Sequence, residues 1–287
     1  LAKTNLLHRL DRKVTEFDHV EELREFLVQT ITRFRSESQR GVVADFSRRH
    51  FDTLSAFVRI GGGLLGGKGR GLAFVNSILH GYGIHDRFPG TIIRVPTTAV
   101  IGTDVFDAFF DQGKLRDDVL SDWDDAQIIE ACLAHKLPSE IYGDLEAFLD
   151  QVRYPLAVRS SSLLEDSQFQ PFAGVYATYM LANNHPDLKV RLDQLCDAIK
   201  LVYASTYTRA AKSYVDATAN RIEEEKMAVI VQQVVGRRHD HYDYPHFSGV
   251  GLSANYYPAG DLKPEDGVVT VALGLGRTVV GGGNALR

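Results

Sequence analysis

The stretch GGGLLGGKGRG, residues 61–71, constrains this chain more than any other part of it. Seven glycines surround one lysine and one arginine, between two stretches that read as helices. Such a run is a phosphate cradle, a hinge or a flexible joint. Gly62, four residues, Gly67 and Lys68 meet most of the P-loop pattern GxxxxGK[ST]. Gly69 stands where the Ser or Thr that binds Mg²⁺ belongs, and a helix rather than a strand is expected ahead of the run. A P-loop NTPase is therefore disfavoured. The anion-binding logic survives, because backbone amides unshielded by side chains, a lysine and a helix N-terminus just downstream attract phosphate. A flexible joint would require neither the lysine nor the arginine.

A second constellation follows in YPLAVRSSSLLEDSQFQPFAGVYATYM, residues 154–180. A short strand over 155–159 delivers Arg159 into three serines, then come Glu165 and Asp166 and a small-residue turn at Phe172, Ala173 and Gly174. A guanidinium suits planar, multi-donor recognition of phosphate oxygens. The bland alternative is a strand exit whose arginine sits in a salt bridge.

The chain's 287 residues are enough for one large domain or two ordinary ones. With 44% hydrophobic and 24% charged residues it is expected to be a folded globular protein. A formal charge of −5 speaks against a broad nucleic-acid or anionic-membrane surface. The two cysteines, Cys132 and Cys196, form neither a CxxC nor a disulfide ladder, so a reducing cytoplasm is expected. No apolar run is long enough for a transmembrane helix, and no signal peptide is visible. The chain begins at Leu1 and ends in GGGNALR, which reads as a piece of something longer.

Periodicity predicts helix over much of 1–58. Val20, Leu23, Phe26, Leu27, Ile31 and Phe34 form one stripe, and Phe46, Phe51, Leu54 and Phe57 another. A helix is expected to resume near Gly71 and to end at Gly81 or Gly83. A turn at Pro96 and a helix opening at Thr103 and Asp104 follow. Polar helices are expected to 150, a strand in GVYATYMLAN, and a helix over 187–215. KMAVIVQQVV and FSGVGLSANYY are expected to pair as antiparallel strands across a polar loop, with GVVTVALGLG as a third strand. That loop carries His239, Asp240, His241, Asp243 and His246, read as solvated residues, and no metal is assigned to them.

Six blocks, in order, carry a family resemblance: GGKGRGLAF, VPTTAVIGTDVFDAFF, LAVRSSSLLEDSQFQPFAGVYATYMLAN, MAVIVQQVV, SGVGLSAN and LGLGRTVVGGG. Together they resemble the nucleotide-binding domain of phosphoenolpyruvate synthase and pyruvate phosphate dikinase over about residues 60–287. The resemblance implies an ATP-grasp-like, two-lobed fold over 59–287; with the helical reading of 1–58 this gives an α+β chain with a helical N-terminal extension, divided as 1–58 and 59–287. It implies ATP and Mg²⁺ as cofactors, with the metal ligands outside this chain. By position, Lys68 and Arg159 would reach the nucleotide phosphates, Gly174 and Thr178 would belong to the loop covering them, and Gln232 would line the adenine.

The implied function is the ATP-binding portion of a phosphotransferase that passes phosphate from ATP to a histidine and then to pyruvate. Its partners would be the phospho-histidine and pyruvate-binding domains of the full-length protein, with no nucleic acid and no membrane. Arg277 stands where the family has an acid. The alternatives are a non-catalytic nucleotide-sensing module and a related enzyme with another phosphoryl acceptor.

Overall fold

The computed structural model describes residues 16–17, 19–28, 43–49, 51, 57–84, 87–162, 174–217, 221–276 and 279. Residues 20–28 form helix α1, whose Phe26 ring lies 5.1 Å from that of Phe17. The remainder of the first stripe, Ile31 and Phe34, falls outside the described residues, as do Leu54, Glu165, Asp166, Phe172, Ala173 and Arg277.

A mixed six-stranded sheet organises everything from residue 44 to residue 233. In chain order its strands are β1 (Ala44–Asp45), β2 (Phe57–Ile60), β3 (Thr98–Ile101), β4 (Leu156–Ser162), β5 (Thr178–Leu181) and β6 (Met227–Gln233). In space the order is β1-β2-β3-β6-β4-β5. The first three are parallel, and every later pairing is antiparallel. Strand β6 thus lies in the middle, and its MAVIV is buried throughout, as expected of a strand covered on both faces.

Side-chain alternation sorts the sheet into two faces. Val58, Ile60, Ala99, Ile101, Leu156, Val158, Met227, Val229 and Val231 point into the main core. Six helices cover that face: α3 (Thr103–Phe110), α4 (Leu115–Leu120), α5 (Asp125–Ala134), α6 (Ser139–Gln151), α7 (Leu188–Ser205) and α8 (Arg209–Asp216). Phe106, Phe109, Phe110, Tyr203 and Tyr207 form an aromatic nest there, with Phe106 and Phe110 4.8 Å apart and nearly edge to face. The opposite face carries Phe57, Val100, Ala228 and Ile230, packed against Leu65, Leu72 and Ala73 at the start of α2 (Gly66–Gly81).

A second compact unit, Val234–Arg287, holds two antiparallel ribbons: β7 (Arg237–His239) with β8 (Tyr242–Tyr244), and β9 (Phe247–Leu252) with β10 (Val268–Leu273).

The α+β expectation agrees with this mixed architecture, and four local readings are corrected. The second N-terminal stripe is not a helix where described. Strands β1 and β2 occupy its ends, and Phe46 and Phe51 pack as loop side chains, Phe51 with its ring 5.5 Å from Phe148. Their spacing mimics helical periodicity without a helix. Helix α2 begins at Gly66 rather than near Gly71, because tertiary hydrogen bonds support a first turn that glycine propensity disfavours. Strand β4 runs through all three serines instead of ending at Arg159. Finally, β6 pairs with β3 and β4, β9 pairs with β10, and the polar loop is itself a hairpin turning at Asp240, φ +55°.

Candidate functional site

The glycine run joins strand β2 to helix α2, so the strand–turn–helix order of anion sites is present after all. It is pinned rather than loose. Leu64 N–H donates to Thr103 Oγ1 at 2.9 Å, and Thr103 N–H donates back to the Leu64 carbonyl at 3.1 Å. Asp104 N–H reaches the Gly62 carbonyl at 3.2 Å, and Arg59 Nη1 reaches that of Gly63 at 3.1 Å. The hinge and flexible-joint readings therefore give way to a braced turn. The Asp104 carboxylate packs against Gly62 and Gly63, in space that side chains at those positions would fill. The open anion-binding end is the first turn of α2, which carries Lys68 and no acidic residue. There the early N–H groups lack intrahelical acceptors, and the helix dipole favours negative charge.

Strand β4 holds this turn from the side. Lys68 Nζ donates to the Ser160 carbonyl and to Ser160 Oγ, both at 3.3 Å. Ser161 Oγ donates to the Leu65 carbonyl at 2.7 Å and accepts from Gly69 N–H at 2.9 Å. The contact is close enough to dictate Gly66: at φ +67° that residue is in the left-handed region, and a Cβ there would overlap the Ser161 carbonyl.

The sheet register gathers most of the residues named from sequence. Arg159 lies directly opposite Thr178 on β5 and opposite Ile230 on β6. Ile230 belongs to the cluster under α2, so Arg159, Thr178 and α2 share one face. Gln232 is on that face too, opposite Ala157 and Thr98, and its Nε2 donates to Thr98 Oγ1 at 2.9 Å. Ala157 is two residues along β4 from Arg159, a step of about 7 Å. Gly174 begins the described segment before β5, exposed at φ +80°, with open space where a Cβ would stand.

Among the described residues Arg159 has no carboxylate partner, and its Nε is buried without an acceptor. An unmatched buried guanidinium N–H is unfavourable unless a ligand or water completes it. The described residues thus fit a phosphate: a guanidinium with spare donors and a helix N-terminus on one sheet face, and an ammonium on that helix held to β4 at Ser160. They do not supply a metal site, since no group of three or more His, Cys, Asp or Glu among them could hold an ion.

Sequence reasoning missed the residues that fix this geometry. In sequence the three serines stand out as the residues after Arg159, and alternation along an extended β4 is what separates Ser161, on the Arg159 face, from its neighbours. Tyr176 was also missed. Its hydroxyl donates to the buried Glu225 carboxylate at 3.0 Å, while Ala177 N–H donates to Ser205 Oγ at 3.1 Å. These bonds anchor the chain entering β5 and so bring Thr178 opposite Arg159.

Comparison with known proteins bears on the family of the chain. Residues 62–285 match the family described as pyruvate phosphate dikinase, AMP/ATP-binding domain. An uncharacterized phosphotransferase of Bacillus subtilis strain 168, YvkC, is 26% identical over 190 residues, covering 66% of this chain and 20% of that protein. The phosphoenolpyruvate synthase of Aeropyrum pernix is 30% identical over 128 residues, covering 44% of this chain and 13% of that enzyme. The chain therefore spans a fifth or less of these relatives. Among the described residues no helix is long and apolar enough to cross a membrane. With most of its length matched from the glycine run to the last strand and beyond, the chain belongs to the pyruvate phosphate dikinase AMP/ATP-binding domain family.

Proposed function

We propose that this domain binds ATP with its phosphates between Lys68 and Arg159, as the ATP-binding portion of a cytoplasmic phosphoenolpyruvate synthase-like phosphotransferase. The observation that carries the reading is the shared sheet face: Arg159 opposite Thr178, with the first turn of α2 and Lys68 held onto the adjoining serines. Lysine supplies a point charge and arginine a fork of donors, and together they offset phosphate charge, the main protein contribution to phosphoryl transfer. Gly174 allows close approach of the chain to the phosphates. Gln232, its amide nitrogen engaged by Thr98, keeps a carbonyl oxygen for the adenine amino group.

In this reading the domain has an ATP-grasp-like, two-lobed fold with a helical N-terminal extension. Strands β1 and β2 are counted with the nucleotide-binding domain, because both are hydrogen-bonded into its sheet. Magnesium, when bound, would offset further phosphate charge, through ligands outside the described residues. Phosphate would move from ATP to a histidine and then to pyruvate, on domains that this chain does not include. A nucleotide-sensing role remains as a second reading, favoured by Arg277 in place of the family's acid.

Isothermal calorimetry on the full-length protein tests the assignment. Lys68→Ala and Arg159→Ala each remove a charge-assisted contact worth about 1.5–3 kcal/mol, a loss of roughly 10- to 150-fold in ATP affinity. Unchanged affinity in both variants would sink it. Detecting a phospho-histidine after incubation with ATP separates the enzyme from the sensor.

A further inference from the structure

We infer that Ser161 is a positioning residue for Lys68, acting by inserting its hydroxyl into the first turn of α2; the inference rests on the ATP reading above. Leu65 O and Gly69 N are the pair that closes this turn in an α-helix, i to i+4. The Ser161 hydroxyl lies between them, donating to the carbonyl at 2.7 Å and accepting from the amide at 2.9 Å. A hydroxyl has one proton to give, and here it goes to the helix. The side chain is fully buried on the same strand face as Arg159, two residues away.

Three features make this bridge more than packing. It comes from the neighbouring strand, so it ties the helix start to the strand that carries Arg159. It is sequence-specific, because Gly66 leaves no Cβ to collide with the Ser161 carbonyl, and Gly69 keeps the approach to the hydroxyl open. It flanks Lys68, which lies inside the bridged turn and reaches the adjoining Ser160. Ser161 therefore sets where the ammonium stands relative to the guanidinium without touching nucleotide itself. Pre-setting two cations that must meet one polyphosphate reduces the ordering cost of binding.

The test is a double-mutant cycle in the full-length protein, read as ATP dissociation constants by calorimetry. Ser161→Ala is expected to weaken ATP binding about tenfold when Lys68 is present, by loss of two hydrogen bonds that fix the turn. In the Lys68→Ala background the same substitution is expected to change affinity less than twofold. An equal loss in both backgrounds, or none in either, overturns the positioning role while leaving the ATP site standing. No loss from Lys68→Ala itself overturns the inference, and no loss from Arg159→Ala as well overturns the ATP reading with it. Binding stoichiometry reports the folded fraction, so a misfolded variant is separated from a weak binder. Ser161→Cys, nearly isosteric but a poor donor, supplies the same comparison if alanine does not fold.

Discussion

Two arginines show that position on the sheet, more than hydrogen bonding, separates a structural residue from a candidate ligand residue. Arg191 is buried, and its Nη1 donates to the carbonyls of Leu149 and Val152 and to Asn183 Oδ1, at 2.8, 3.1 and 3.2 Å. It ties the C-terminal end of α6 to the turn before α7. Its Nε and Nη2 are nonetheless buried without acceptors among the described residues, as is Arg159 Nε, so an unmatched N–H does not by itself mark a ligand residue; Arg159 is read as one because it lies opposite Thr178 on the face that α2 adjoins. The cysteines are structural as well. Burial pushes the thiols of Cys132 and Cys196 up to about 12, against a smaller opposing pull from Lys200. An acid whose pKa rises on folding keeps its proton after the unfolded chain has released it. Its stabilising contribution is therefore complete below pH 9 and declines from there to about 12. Unfolding free energies from urea titration are expected to fall between pH 9 and 10, by up to about 1.4 kcal/mol per thiol. At pH 8 both thiols should resist alkylation until the protein unfolds. Rapid labelling of the native protein would contradict this.

At the scale of elements, helix α2 was the hardest to read. Its first six residues contain four glycines, Gly66, Gly67, Gly69 and Gly71, and intrinsic propensity places the helix start after them. What overrides propensity is the bridge from Ser161, 92 residues from Gly69 in sequence, which no local pattern reveals. The same contact makes the glycines unequal. Gly66→Ala combines a positive φ with a backbone clash and is expected to unfold the domain or to lower its stability by more than about 3 kcal/mol. Gly71→Ala meets nothing within 4 Å and should raise stability by roughly 0.5–1 kcal/mol. Equal effects on thermal melting would contradict the packing described. Helix α5 is an easier case. Asp124 accepts from Gln127 N–H at 2.9 Å, and the Gln127 side chain accepts from Asp124 N–H at 3.0 Å, a capping box written within four residues. Asp124→Ala is expected to cost about 1 kcal/mol by chemical denaturation.

For the whole molecule, the α+β class was legible in sequence, but the connectivity of the sheet was not. Charge chemistry singles out Lys68 and Arg159, and the family resemblance Thr178 and Gln232, with the roles of all four proposed; the α3 opening at Thr103 could be read from local chemistry. The position of β6 between β3 and β4 could not, since antiparallel pairing with β9 was equally compatible with alternation. Nor could β1 and β2 be separated from helix, because aromatic residues at three- to five-residue steps serve a packed loop as well as a helix face. Central placement makes β6 the strand that exchange experiments should find most protected. Amides of Val229 to Val231 are expected to exchange only through global unfolding, whereas those of the edge strand β5 should open locally. These pairings matter for function because they alone bring Arg159, Thr178 and Gln232 onto the face that α2 adjoins. The most direct test is therefore a crystal structure of the full-length protein with bound ATP. The account predicts nucleotide phosphate oxygens within about 3 Å of Lys68 Nζ and of the Arg159 guanidinium. A triphosphate bound away from both, with those side chains still held by protein groups, would contradict it.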